Sequence, residues 1–389
     1  MSTETPKSEI LALRAVAAQY FINGVVAAAY IPRLPEIREN LNIDFATLGQ
    51  VITAASMGGL LASLLCSKLV MHFGTKNTLI FGSLALIILL PNVALAPSVW
   101  ALVAVMCAIT FADVIVDVAV NIQGSILSAR RATPVINRLH GLWSIGTVAG
   151  GLVASALAAT ALPLLWHLIA VSALLALCLW YVASDLLELD LPDEPTDANN
   201  TTTAPVLNSS RFWLFGILGA CAFVPEMILS DWSPFRLRDD LGASEGMAGL
   251  AYVAFGCGMV TGRMGGDWVS ARVGKAHMLR LAIALAGSGL ILACFIDWAP
   301  VVYLGLYIAG LGVSVLFPTL YDNAARDKGR RGAALGAMTA GSRGAMLLAP
   351  LTIGSLANSP NLSVGMAIAC VAPPCLLLVW WLTGKVSNE

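Results

Sequence analysis

Residues 38–49 read RENLNIDFATLG, and residues 238–249 read RDDLGASEGMAG. At this offset of 200 positions, Arg38 meets Arg238, Leu41 meets Leu241 and Gly49 meets Gly249 without a gap. The same offset aligns Gly58 with Gly258, Gly74 with Gly274, Arg130-Arg131 with Arg330-Arg331, and Gly141 with Gly341. Between these landmarks both halves are apolar runs of helix-spanning length. One design written twice, with about six spans per copy, is a common architecture of secondary transporters, in which a solute is bound at the repeat interface.

Composition agrees with that pattern. Hydrophobic residues make up 58% of the chain and charged residues 12%, at a mean hydropathy of +0.81. A soluble domain carries roughly twice that charged fraction, so an all-α membrane protein is expected. The net charge of −1 excludes an electrostatic nucleic-acid binder. The eight cysteines stand singly in apolar runs, with no CxxC and no His at metal-ligand spacing. They read as small packed hydrophobes, and neither metal nor cofactor is expected. The histidines His72, His140, His167 and His277 are far apart and form no HExxH pattern, so the chain is not expected to be an enzyme. Ala27-Ala28-Ala29 imitates a signal-peptide cleavage site, but removing the preceding helix would break the doubled pattern.

A span needs roughly 20 apolar residues. Twelve are expected, over 11–31, 46–70, 77–96, 99–126, 137–161, 163–183, 212–233, 246–270, 277–296, 301–324, 333–356 and 363–384. They form two pseudo-symmetric six-helix bundles, 1–184 and 211–389. The intervening 185–210 holds six acidic residues from Asp185 to Asp197 and then Asn199-Asn200-Thr201-Thr202-Thr203, which reads as a solvated linker. With both termini cytoplasmic, the outer segments hold only Arg33, Arg38, Arg236 and Arg238. Every other Lys and Arg except Arg343 falls on the inner side. This asymmetry supports an even number of spans and a multi-pass protein of the inner (plasma) membrane.

Ionisable groups at membrane depth are costly and face a cavity or a partner. In span four Asp113, Asp117 and Asn121 recur every four residues, one stripe on a helix. Two carboxylates one turn apart repel when both are ionised, an arrangement suited to a group that takes up and releases a proton; a fixed pairing with an arginine is the structural alternative. Span one carries Gln19 and Asn23, either solute contacts or hydrogen-bonding glue between helices. Span seven holds Glu226 and, near the outer surface, Asp231. Span ten ends in Tyr321-Asp322-Asn323, and Asp231 and Asp322 fit interfacial positions equally well. Arg343 in span eleven is either a partner for the acids or a ligand for an anionic solute group. His140, at the start of span five, fits helix packing, gating or proton relay.

After span eight comes Gly262-Arg263-Met264-Gly265-Gly266-Asp267, then Gly274-Lys275. This glycine-rich helix end, acid, turn and base resembles the cytoplasmic loop of the major facilitator superfamily. The resemblance implies a conformational latch involving Gly262, Arg263, Asp267 and Gly274. In the first half Ser67 stands at the position of Asp267, and Met71-His72-Phe73-Gly74-Thr75-Lys76 keeps the glycine and one base without the acid. Asp117-x-x-x-Asn121 and His140-Gly141-Leu142-Trp143-Ser144-x-Gly146 resemble bacterial inner-membrane permeases of the YbjJ type, similar to the fucose–proton symporter group. That likeness implies proton coupling through an acid in span four. The symporters' companion acid in span one has no match here, which argues against fucose as cargo. Span five lacks the Gly-Pro pair of proton-antiporting drug exporters.

The expectation is therefore a monomeric secondary transporter in the bilayer, moving a small polar solute by alternating access with protons as coupling ion. Asp113, Asp117 and Glu226 are the candidates for proton coupling. Gln19, Asn23, Asn121, Arg343 and Asn323 are the candidates for solute binding. The latch glycines with Arg263, Asp267 and His140 are the gating candidates. Export of amphipathic or cationic compounds, and a solute-binding membrane receptor without transport, are the alternatives.

Overall fold

The computed structural model describes residues 7–130, 135–188, 210–325 and 331–386, and among them there is no strand. Helix α1 (Lys7–Ala27) leads through a 3-10 turn (Ile31–Arg33) and the short α2 (Leu34–Asn40) to α3 (Phe45–Leu95). Then come α4 (Val99–Ala129), α5 (Ile136–Ala159), α6 (Leu164–Val182) and α7 (Ser210–Phe235). A five-residue π-helical stretch (Arg236–Asp240) precedes α8 (Glu245–Val273), α9 (Lys275–Phe295), α10 (Ala299–Ala325), α11 (Arg331–Ala357) and α12 (Val364–Val386). Residues 189–209 of the expected linker, and both chain ends, lie outside the described residues.

Helices are the natural answer for so apolar a chain, because a spanning segment has to satisfy its own backbone donors and acceptors. Among the described residues nine helices are long and apolar enough to cross a membrane. One of them, α3, has 51 residues. At 1.5 Å per residue it would reach roughly 77 Å, far beyond a bilayer core. It breaks at Gly74 (φ 74°, ψ 162°), so it supplies two spans. Helices α8 and α11, of 29 and 27 residues, are long enough but more polar. With these counted, the helices are compatible with twelve spans. Leu64, Trp100 and Trp180 are 76–82% exposed, as lipid-facing side chains should be and as a water-facing surface would not tolerate in number.

The chain falls into two compact units, one of Met1–Tyr30 with Ala54–Asp197 and one of Ile31–Thr53 with Ala198–Glu389. In the first unit α1 packs on α4, α5 and α6, around a buried cluster that includes Val16, Tyr20, Leu79, Val120, Leu127 and Leu139. In the second, α7 packs on α11 and α12, and α10 packs on α8 and α9.

The repeat is visible in the backbone of each unit. Gly274 ends α8 at φ 80°, ψ 155°, close to the dihedrals of Gly74. This left-handed half of the map is open to glycine and costly for other residues. The loop geometry of the first half therefore survives although its acid is absent. A Cβ on Gly58 would lie 1.9 Å from the Cys107 carbonyl oxygen; one on Gly258 would lie 2.1 Å from that of Tyr307. Both partner positions are again 200 apart. The same helix crossing is made twice, each through a glycine that lets two backbones touch.

Candidate functional site

In the first unit, α4 presents its acidic stripe toward a chain of hydrogen bonds. The Tyr20 hydroxyl on α1 donates to Asn121 Oδ1 at 2.7 Å. Asn121 Nδ2 donates to Asp117 Oδ1 at 3.0 Å and to the Asp117 carbonyl at 2.7 Å. The His140 ring on α5 meets Tyr20 edge-on, with centroids 5.3 Å apart. Three helices thus join Tyr20, Asn121, Asp117 and His140 in one connected group. One turn from Asp117, Asp113 Oδ1 is buried with no hydrogen-bond partner among the described residues, and the same is true of Asn23 Oδ1 on α1. Buried polar atoms are nearly always satisfied, so those left bare need a reason, and binding or proton exchange is one.

The remaining expected residues sit elsewhere. Gln19 is buried and donates from Nε2 to Ser83 Oγ at 3.0 Å, tying α1 to the second part of α3. In the second unit Glu226 on α7 pairs with Arg263 on α8 at 2.8 Å. A proton-coupling candidate and a latch candidate are thereby partners of each other. Arg343 on α11 sets Nη1 3.9 Å from Met346 Sδ and forms no ion pair among the described residues. Asn323 on α10 lines a crevice that also holds Lys275. The side chain of Asp267 lies outside the described ones, although its backbone belongs to α8.

Two features of the second unit were not anticipated. Arg38 Nη2 lies 2.5 Å from Asp239 Oδ1, and Arg238 Nε lies 3.0 Å from Glu39 Oε1. Each arginine is the counterpart of the other in the doubled sequence, and so is each acid. Below them, Arg38 lies over the Phe45 ring at 4.1 Å, within an aromatic cluster of Phe45, Trp232 and Phe235. Arg236 is the second feature. It is buried, binds Asp240 at 3.0 Å and Asp297 at 2.6 Å, and reaches the Ala293 and Ile296 carbonyls. Asp240 in turn accepts from the Val364 and Gly365 N–H groups, capping α12. The available signal was an acid directly after Arg38 and Arg238; in the linear sequence those arginines read only as markers of orientation.

Known proteins agree with this architecture. The sequence profile of the Major Facilitator Superfamily matches residues 16–350 and 227–388. The chain belongs to the Major Facilitator Superfamily. The uncharacterized transporter y4wD of Sinorhizobium fredii is 26% identical over 368 residues, covering 92% of this chain and 96% of the relative. An uncharacterized MFS-type transporter of Yersinia pestis is 28% identical over 356 residues, covering 91% and 90%. Membrane protein MosC of Rhizobium meliloti is 25% identical, covering 93% and 89%. Among solved structures, a mutant of nucleoside transporter NupG superimposes with a TM-score of 0.76 at 14% identity, covering 96% of this chain and 99% of that one. A bacterial homolog to the human lysosomal transporter Spinster, inward-facing and occupied, gives a TM-score of 0.66 at 14% identity, covering 98% and 95%. At that identity the likeness shows the major facilitator fold alone. This facilitator is thus a multi-pass membrane transporter, and two of these three relatives are named as transporters.

Proposed function

We propose that this transporter is a proton-coupled symporter of a small polar solute, working by alternating access as a monomer of the inner membrane with both termini cytoplasmic. The observation that carries the reading is the α4 stripe: Asp113 with a bare buried oxygen, and Asp117 one turn away, held by Asn121 and through it by Tyr20. A carboxyl oxygen kept from water without a partner costs far more on an anion than on a neutral acid. A solute whose binding alters that balance couples its own movement to a proton's. In this reading Asp113 and Asp117 handle the proton, Asn121 positions Asp117, and Asn23 and Arg343 contact solute. His140 and the Glu226–Arg263 pair belong to gating.

The test is a solute panel on reconstituted vesicles, recording solute-evoked charge movement across neutral pH with and without sodium. A pH-dependent, sodium-independent current with one sugar, organic acid or amine is the expected result. A current that needs sodium at every pH would overturn the coupling ion.

Export of a cationic compound is a second reading, favoured by the same bare Asp113 oxygen. It predicts that expression raises tolerance to toxic cations. Tight solute binding with no flux would instead mark a receptor.

A further inference from the structure

We propose that the crevice between α9 and α12 of the second unit binds the phosphate headgroup of one anionic phospholipid. The crevice holds about 580 Å³, within the range of sites that enclose small ligands. It has two kinds of wall. Its floor is apolar, with Phe215, Leu218 and Leu320 all buried. Its rim is basic and aromatic: Lys275 and Arg280 rise from the first turns of α9, and Trp380 and Trp381 from the end of α12. Both tryptophans are more than half exposed, as in the belts that sit at headgroup level.

Charge decides the sign of the occupant. Lys275 is neutralised by its ion pair with Asp322. Arg280 has no ion-pair partner among the described residues, so it leaves the rim with a net positive charge. The first turn of α9 adds to this, having no acidic residue and no side-chain cap, which leaves its N–H groups facing outward. Asn323 supplies a further polar group on the rim. A fully polar anion would leave the apolar floor empty, and an apolar molecule would leave Arg280 unmet. A phospholipid satisfies both, with phosphate at Arg280 and glycerol and acyl carbons against the floor. Basic pockets between spans take acidic headgroups in this way.

The probe is dibrominated phosphatidylglycerol, whose bromines quench tryptophan on contact. Dibrominated phosphatidylcholine is the control, in bilayers holding the intact chain. Quenching by phosphatidylglycerol should include a component that saturates at about a fivefold lower mole fraction than with phosphatidylcholine, the effect of one cation near the surface. Arg280→Gln should remove that preference, and Arg280→Lys should keep it. A Trp380→Phe/Trp381→Phe variant should lose the component itself. Equal saturation by both lipids, or an undiminished preference in Arg280→Gln, would overturn the proposal. Inorganic phosphate that erases the preference, where chloride of equal ionic strength does not, would assign the crevice to free phosphate and overturn the lipid. None of these readings involves flux, so they stand or fall separately from proton coupling.

Discussion

Arg38 is bound to Asp239, and the residues 200 positions away from each, Arg238 and Glu39, are bound to each other. The tie is reciprocal, as in a two-fold interface where residue i meets j and j meets i. The sequence repeat therefore has a physical counterpart in one local cluster, seated on Phe45, Trp232 and Phe235.

Reversing one charge should unfasten half of this cluster. Arg38→Glu is expected to lower the thermal stability of the solubilised protein. Arg38→Glu/Asp239→Arg should recover part of the loss. Each pair is partly exposed and contributes about 0.2–1 kcal/mol. Recovery should stay incomplete because the swap forfeits the stacking of Arg38 on Phe45, about 0.5–1 kcal/mol. Full recovery would remove the ring from the account.

Two glycines of one helix should behave oppositely. A Cβ at Gly258 meets the Tyr307 carbonyl oxygen at 2.1 Å, whereas one at Gly265 meets nothing within 4 Å. Gly258→Ala is expected to destabilise by about 1–3 kcal/mol through overpacking. Gly265→Ala should be neutral or slightly stabilising, since alanine is the better helix former by about 1 kcal/mol. Thermal unfolding of the two variants side by side decides the matter.

Asp44 should confer a pH-dependent stability. The Thr47 hydroxyl and N–H groups hold its carboxyl below the usual aspartate range, and the N–H bond of 2.8 Å caps the start of α3. A carboxyl lowered by folding stabilises the folded chain above its unfolded pKa, about 3.9. That contribution is lost as pH falls through the lower folded value. Asp44→Ala should therefore cost about 1 kcal/mol near neutrality, and the gap to wild type should close in acid. A constant gap at every pH would refute the assignment.

The Glu226–Arg263 pair, at 2.8 Å and partly shielded, should show coupling of about 0.5–3 kcal/mol in a double-mutant cycle. Either Glu226→Gln or Arg263→Gln strands the other charge, so the double variant should be more stable than the sum of the singles predicts. Strict additivity would mean that the pair contributes nothing.

The parts of this protein legible in its sequence are those where geometry tolerates a single residue type. Gly74 and Gly274 sit at positive φ, and Gly58 and Gly258 sit where two backbones touch. Each therefore left a mark at a fixed offset, and the doubled architecture followed. The α4 stripe was legible because carboxylates are rare at that depth. Tyr20 was not, because it stands about 100° around α1 from Gln19, off the stripe of Gln19 and Asn23, and a tyrosine in an apolar run carries no signal of its own. Its role depends on Asn121, 101 residues away. The Glu226–Arg263 pairing is hidden for the same reason: on its own helix each residue suits a different task, and the packing of α7 on α8 joins them.

Once a transported solute is in hand, uphill accumulation and counterflow should be measured in one preparation of the Asp113→Asn/Asp117→Asn variant. Asparagine imitates the protonated acid, so the carrier should still exchange labelled for unlabelled solute. It should no longer accumulate solute against its gradient when a proton gradient is imposed. Accumulation at the wild-type level by this variant would contradict the account, since no proton could then be travelling on the α4 carboxylates.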